Sequence, residues 1–448
     1  MRNAGVKISI ICALLLFCVS LGAEEFSITY EKLDDVFDRG FQPWSGAEIN
    51  MTLEAPEGNW KLPKLNAPIP VYGFLTLGDT KMLFILDQAD KENNFFNRLY
   101  LDANANNDLT DDPIIDVSSQ ERQRYGRKSP FLSQDITYQY EGKTLPYRFW
   151  FFFRINIPIY STKTITPKAL SEHFSLSIIS RCVYKSQFTL GGQKYQMLLS
   201  DTNCNGRFDD ALSLPPDYKK VYENNKIILP SGDNMYLRKD GGFTWYDEQR
   251  FAQKIFLEGR LYDISINLAS GKLTLNPATD ATATIKFPME VAKLGLYHTD
   301  GGASINFYNA AGDIKIPAGK YLLTGYTSFR NDSRGDKWLL RTSATINTPI
   351  TTIEENNIVL LKMGEPFMPR VDIPYWSLQE FANNQRSVRL DLVTEGAGGE
   401  EIKQIIKIPN QRMKYPNSER FNPFPKEATY TIFRLDGKIV IQGRFEYG

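Results

Sequence analysis

Twice in this chain, two apolar runs fold about a glycine turn and lead towards a loop of Asp and Asn. The first is VYGFLTLGDTKMLFILD, residues 71–87, with its turn at Gly78-Asp79; the second is SQFTLGGQKYQMLLSD, residues 186–201, turning at Gly191-Gly192. A two-residue turn between apolar runs leaves the backbone little choice but an antiparallel hairpin. Both hairpins carry Thr-Leu-Gly before the turn and a Lys after it: Thr76, Leu77, Gly78 and Lys81, then Thr189, Leu190, Gly191 and Lys194. The repetition suggests a shared unit. It is imperfect, because a further strand, RLYLD, precedes the first acidic loop, whereas the second hairpin runs straight into its own.

The rest of the chain continues in strands. YRFWFFFRINI, residues 147–157, has an aromatic at every position from Phe149 to Phe153. Such a run predicts a strand buried on both faces. RLYDISINL, KLTLN, ASINFYN, DIKIPAGKYLLTGYTSF, KWLLRTSATI and NNIVLLKMG follow, and TYTIFRLDGKIVIQGRFEY closes the chain as a hairpin about Asp436-Gly437. Aromatics make up 13% of the chain and favour sheet over helix. SEHFSL and SLQEFANN are read as short helices with serine caps. LNPATDATAT and EPFMPRVDIPYW read as linkers, and EGAGGEE as a flexible loop tip. The expected fold is mainly β: a multidomain set of antiparallel β-sandwiches with two Asx-rich loops at strand ends. The expected division is a leader over 1–23, β domains over 24–157 and 158–280, a sandwich over 281–372 and a terminal β module over 373–448.

Arg2 and Lys7, the apolar stretch from Ile8 to Leu21, and the small pair Gly22-Ala23 form the three-part pattern of a cleavable signal peptide. Phe17 precedes Cys18 where a lipoprotein needs a small residue, so lipid anchoring is not expected. A secreted or periplasmic protein without membrane insertion is the expectation. Loss of Arg2 and Lys7 leaves 50 of the 52 basic residues against 52 acidic ones. That balance gives no electrostatic reason to bind nucleic acid. Cys182 and Cys204 remain after the leader, and either a single bridge or two separate thiols fits an oxidising compartment.

RLYLDANANNDLTDD, residues 98–112, and MLLSDTNCNGRFDD, residues 197–210, repeat Asp-x-Asn-x-Asn. Calcium takes six to eight oxygens, and a short loop supplies them when alternate side chains point inward. Asp102, Asn104 and Asn106 meet that spacing at positions one, three and five, as do Asp201, Asn203 and Asn205. Position six must turn sharply, which Asn107 tolerates and Gly206 prefers. Position seven offers a backbone carbonyl, so Asp108 and Arg207 serve through their main chain. The acidic pairs Asp111–Asp112 and Asp209–Asp210 are read as closing the two shells. Without an ion, Asx turns alone account for such loops. Zinc is disfavoured because His and thiolate sets are missing; magnesium stays open, although it usually keeps several waters and prefers fewer protein ligands. Two asparagines at leading positions limit the charge on each ion and imply modest affinity.

These stretches resemble EF-hand-like and dockerin-type calcium loops over about their first seven positions. The resemblance implies two calcium ions in a structural role. The pattern departs at position twelve, where Pro113 and Leu212 replace the expected carboxylate, and no flanking helices are expected. GDIKIPAGKYLLTGYTSF resembles the strands of carboxypeptidase-regulatory-like sandwich domains at Pro317, Ala318, Gly319 and Tyr321. The terminal hairpin is similar to the last hairpin of immunoglobulin-like modules. Those resemblances imply supporting or binding modules and no active site.

No nucleophile elbow, zinc-protease motif or phosphate loop is present, and His173 and His298 are the chain's histidines. The sequence nominates no catalytic set; a structural role is the simpler reading of His298 beside Asp300. A carboxylate-only glycoside hydrolase stays open through Asp34, Asp35 and Asp38 or through Asp247 and Glu248. Trp44, Trp60, Trp245, Tyr246, Trp338 and Trp376 could stack on sugars, although core packing explains most such residues. The expected function is thus an exported calcium-binding β-protein with a structural or binding role. The alternative is a carbohydrate-binding or polysaccharide-degrading protein with structural calcium. A carbohydrate or another exported protein is the expected partner.

Overall fold

The computed structural model describes residues 22–33, 43, 45–91, 96–116, 128–130, 133–155, 165–239, 243–244, 247–383, 388–408 and 425–445. Most of the leader, together with Asp34, Asp35, Asp38, Trp44, Trp245 and Tyr246, lies outside them. Among the described residues the chain is mainly β, and no helix is long and apolar enough to cross a membrane.

Both glycine hairpins form with the expected register. Leu77 pairs with Thr80 about Gly78-Asp79, and Leu190 pairs with Gln193 about Gly191-Gly192. Each seeds a five-stranded antiparallel sheet. The first sheet runs Met51–Thr52, Val71–Leu77, Thr80–Asp87, Arg98–Leu101 and Ile115–Asp116 in spatial order. The third runs Glu248–Arg250, Asn234–Arg238, Gln193–Ser200, Cys182–Leu190 and Thr29–Lys32. Between them in sequence, a second sheet orders Gln134–Tyr140, Lys143–Ile155, Phe174–Ser180 and Ser45–Ile49, with Lys128–Pro130 against its long strand.

The aromatic run occupies that long strand, and both of its faces are covered. Tyr147, Phe149, Phe151 and Phe153 enter the main core, while Trp150 and Phe152 join Ile179 on the opposite face. The guanidinium of Arg181, itself fully buried, sits 4.5 Å from the Trp150 ring centroid. Phe151 packs its ring 5.4 Å from Phe84 of the first sheet and 5.2 Å from Phe149.

Strands from both sides of residue 157 share these sheets. Ser45–Ile49 pairs with Phe174–Ser180, and Thr29–Lys32 pairs with Cys182–Leu190. One continuous core takes Ile28, Leu99, Phe151, Met197 and Leu273 together. The division expected at 157 and 158 does not coincide with a break in hydrogen bonding. The sequence pattern marks strands but not which of them pair across long separations.

Apart from the terminal hairpin Thr429–Phe433 and Ile439–Arg444, which forms a two-stranded sheet of its own, the remaining described strands form a 13-stranded sheet that also takes Glu24–Ser27, paired with Lys272–Pro277. This sheet cannot be flat. The strand Ala283–His298 runs antiparallel to both Ile305–Ile316 and Gly319–Asn331. Ile316 pairs with Ala283 at one end of it, and Tyr321 with His298 at the other. A span of that length is about 50 Å in regular strand geometry, whereas the segment from Ile316 to Tyr321 reaches only about 18 Å. The register break between Phe287 and Val291 supplies the corner that folds the sheet onto itself. The result is a sandwich with its own core around Leu294, Phe307 and Tyr321.

Several local expectations change. SEHFSL is not a capped helix: Thr166 caps the helix Pro167–His173, and Phe174 already begins a strand. Pro167 at the first helical position fixes that start. The serine of SLQEFANN, Ser377, is not a cap either: it sits inside the helix Tyr375–Ala382 and accepts from Arg389 N at 2.8 Å. EGAGGEE is no flexible tip, because Glu400 is fully buried and accepts from Gly364 N, Gly398 N and Tyr326 Oη. Its glycines let the backbone wrap that carboxylate. EPFMPRVDIPYW contributes the strand Met368–Asp372 to the large sheet, so it is not a bare linker.

Truncating Phe151→Ala should cost about 3–5 kcal/mol, as expected for a fully buried aromatic. Equilibrium urea unfolding at constant calcium measures it; a cost below about 1 kcal/mol would mean the strand is not sandwiched as described.

Candidate metal centre

The two acidic loops adopt one backbone design. In the first, Asp102 Oδ1 and Oδ2 accept from Asn106 N at 3.0 Å and Asn107 N at 3.2 Å. Asn104 Oδ1 also accepts from Asn106 N at 3.0 Å, and Asn106 Oδ1 from Asp108 N at 2.7 Å. In the second, Asp201 accepts from Asn205 N at 3.2 Å and Gly206 N at 2.7 Å. Asn203 Oδ1 accepts from Asn205 N at 3.3 Å, and Asn205 Oδ1 from Arg207 N at 2.8 Å. Position six turns with positive φ in both, 66° at Asn107 and 84° at Gly206. Position four does so as well, 55° at Ala105 and 54° at Cys204, which the sequence reading did not anticipate. Residues with a Cβ pay roughly 1–2 kcal/mol to adopt that conformation, so the loop geometry is imposed by the whole ring of contacts.

Closure comes from position ten. Asp111 accepts from Asn104 Nδ2 at 3.4 Å and Asn106 Nδ2 at 2.8 Å. Asp210 accepts from Asn203 Nδ2 at 2.9 Å and Asn205 Nδ2 at 2.6 Å. The acidic pairs are therefore not equivalent residue for residue. Asp112 accepts from Ala103 N at 3.3 Å. The matching bond in the second loop, from Thr202 N at 2.8 Å, goes to Asp233, which also accepts from Asp210 N at 2.9 Å. Asp233 lies more than twenty residues beyond the loop, and no spacing rule points to it. Asp209 is instead placed electrostatically near Arg207 and Glu141.

The position-seven side chains point to other work. Asp108 binds Lys61 Nζ at 2.6 Å and Thr110 N at 2.9 Å, and the Lys61 bond holds its carboxyl down at about 2. Arg207 lies 5.7 Å from the Tyr140 ring centroid. Position eight anchors each loop in apolar packing, through Leu109 and Phe208, both fully buried.

Surroundings differ sharply between the two. Asn104, Asn106 and Asp111 are exposed, whereas the second loop is wedged among three sheets. Tyr147 Oη donates to Asp201 Oδ2 at 2.8 Å, Tyr138 Oη donates to the Gly206 carbonyl, and Gly78 N donates to Asn205 O at 2.7 Å. Thus the turn of the first hairpin docks on the acidic loop of the second. A Cβ on Gly206 would stand 2.7 Å from the Tyr138 ring, so only glycine fits there.

These carboxylates are crowded and short of cations. Among the described residues none of Asp111, Asp112, Asp201, Asp210 and Asp233 forms an ion pair with a basic side chain. Burial pushes the Asp112 carboxyl up to about 6, with Asp102, Asp111 and Asp108 adding repulsion. Burial likewise raises Asp201 and Asp233, which also repel each other. Asp112 Oδ2 is buried without a hydrogen-bond partner. Oxygen-rich sets of this kind suit a hard divalent cation. They mix carboxylates with asparagines, and no group of three or more His, Cys, Asp or Glu side chains converges among the described residues.

Cys182 and Cys204 are two free, buried thiols rather than a bridge. Cys204 Sγ faces the Ile178 carbonyl at 3.6 Å and Cys182 Sγ faces Ser180 Oγ at 3.7 Å, so each has packing of its own. The alternative acid pair is committed elsewhere: Asp247 accepts from Thr244 and Arg238, and Glu248 from Tyr236 Oη. His298 accepts from Gly302 N at 3.0 Å and packs edge-on to Tyr321, a structural setting. Trp60 and Trp338 each donate an indole N–H to a neighbouring oxygen, whereas Trp376 is 47% exposed.

Comparison with family models, with curated proteins and with solved structures found no match.

The raised carboxyls set a pH dependence. A carboxyl whose folded pKa exceeds its unfolded value of about 3.9 stabilises the fold below that value and loses the contribution as pH rises through the folded pKa. In chelator, the melting temperature should therefore fall from about pH 4 to about pH 8, the span over which Asp112 and the Asp201–Asp233 pair ionise. Replacing Asp233 by Asn should flatten the slope; an unchanged slope would remove these groups as its cause.

Proposed function

We propose that the two loops are calcium sites which brace an exported β-protein of structural or binding role. The observation that carries this reading is that both loops repeat the same hydrogen bonds at positions one, three, five and ten, with positive φ at positions four and six even though Ala105 and Cys204 carry a Cβ. Asp102, Asn104, Asn106, the Asp108 carbonyl, Asp111 and Asp112 would ligate the first ion. Asp201, Asn203, Asn205, the Arg207 carbonyl, Asp210 and either Asp209 or Asp233 would ligate the second. Each ion would neutralise acids that otherwise repel, and would tie strand ends to the neighbouring sheets.

Dialysed protein should gain stability on adding about 10 mM calcium, and lose it to EDTA. With affinity in the range of extracellular modules, about 10⁻⁴–10⁻³ M, each site contributes about 1.4–2.7 kcal/mol. Elemental analysis should find two ions per chain, with Asp111→Asn and Asp210→Asn each removing one. Equal melting with and without chelator, together with no bound metal, would falsify the reading.

A second reading, carbohydrate binding, is favoured by one further observation. Tyr375 and Trp376, both about half exposed, line a cleft of about 410 Å³ together with Asn224, Asn225 and Asp391. Aromatic faces beside amides and carboxylates suit sugar rings. On a glycan array, any signal should disappear with Trp376→Ala; retention of signal in that variant excludes this cleft as its source.

A further inference from the structure

Away from the acidic loops, a cavity of about 140 Å³ lies where the third sheet meets the large sheet. Its lining includes Arg250, Lys293 and Arg341 against one carboxylate, Glu248. Strand register explains how these cations meet. Lys293 pairs with Thr327, and Thr327 with Arg341, on three successive strands. Cross-strand partners leave the same face of a sheet, with neighbouring strands about 4.8 Å apart.

Two residues along, Gly295 pairs with Gly325, so the sheet face is bare there and a recess opens. Side chains cannot fill it. A Cβ on Gly295 would stand 2.5 Å from Thr324 Oγ1, and one on Gly325 2.5 Å from the Thr342 carbonyl oxygen. The inner wall is equally fixed, because Arg250 Nη1 donates to Asn234 Oδ1 at 2.7 Å and to the Gly232 carbonyl at 2.9 Å.

Lys293 is 8% exposed and stands 3.7 Å from Asp247 Oδ1, a carboxylate that Arg238 also contacts. Arg341 makes no ion pair among the described residues. Burial lowers the Lys293 ammonium to about 8, Asp247 opposes the fall and Arg341 adds to it. Lys293 and Arg341 stand two strands apart on one face with Thr327 between them, so their charges repel across the recess, and a negative ligand between them removes that repulsion. Arginine's fork and the neighbouring Thr327 hydroxyl offer donors that oxyanions accept.

We propose that this recess binds an oxyanion between Lys293 and Arg341, as a free ion or as the acidic end group of a larger ligand. The cavity has room for a group of only several heavy atoms, given about 30 Å³ per water in the liquid. This site does not depend on the calcium reading.

Isothermal titration at fixed ionic strength and constant calcium tests it, with sodium sulfate and sodium glucuronate as probes in place of chloride. One saturable site is expected, weakened about ten-fold or more in Arg341→Gln, since a charged hydrogen bond is worth about 1.5–3 kcal/mol. That variant should fold at least as well as the wild type, because it removes a like charge beside Lys293. Lys337→Gln, a cation at the exposed start of the same strand, should bind as the wild type does. Tighter sulfate binding identifies a free ion, and tighter glucuronate binding an acidic sugar or similar end group; both support the site. No saturable heat with either probe, or unchanged affinity in Arg341→Gln, overturns it.

Discussion

A fully buried carboxylate, that of Asp201, is the constraint around which the N-terminal half is organised. An ionisable group removed from water must be supplied with donors or a cation, or its burial costs several kcal/mol. Here Asn205 N, Gly206 N and Tyr147 Oη converge on it. Tyr147 belongs to the aromatic strand of the second sheet, and the loop that carries Asp201 also receives Gly78 N from the first. Three sheets are thereby fastened at one acidic loop. Gly206 shapes the turn at that strand end, and the first hairpin's Gly78 reaches across to hold it.

The same loop design serves in two environments. Around Asp102 the asparagines face solvent, and the loop is steadied from outside by Lys61, whose backbone bonds to Asn107 O and Leu109 N and whose ammonium binds Asp108. Around Asp201 the support is internal and includes Asp233, a carboxylate from another strand connection. An ion at the first loop would exchange with solvent readily; one at the second would be integral to the junction of sheets. The oxyanion recess touches this second junction, since Arg250 also donates to Thr202 Oγ1 at 3.3 Å and to the carbonyl next to Asp233. The proposed cation and oxyanion sites would thus share Arg250 as a neighbour.

Much of this was legible in the chain itself, for reasons that differ by element. Two-residue glycine turns and alternating apolar residues are local, so the hairpins at Gly78 and Gly191 and the doubly buried aromatic strand could be read from their own residues. The Asp-x-Asn-x-Asn spacing is also local, and the side chains at positions one, three and five accept backbone N–H groups of their own loop in both copies. The acidic pairs were harder, because Asp111 and Asp210 share position ten while Asp112 and Asp209 do not correspond. Spacing counts residues, whereas the fold decides which carboxylate faces the asparagines.

What the sequence determined was chemistry within reach of a single turn: strands, hairpin registers, oxygen-lined loops and a glycine at position six. What tertiary structure alone decided was everything carried by residues far apart in the chain. Asp233 beside the second loop, Glu400 inside a glycine-rich turn, and Lys293 on the same sheet face as Arg341 all depend on long-range strand pairing. A strand's own pattern says which face is buried. It does not say which neighbour it will meet, because that choice is made by packing of the whole core.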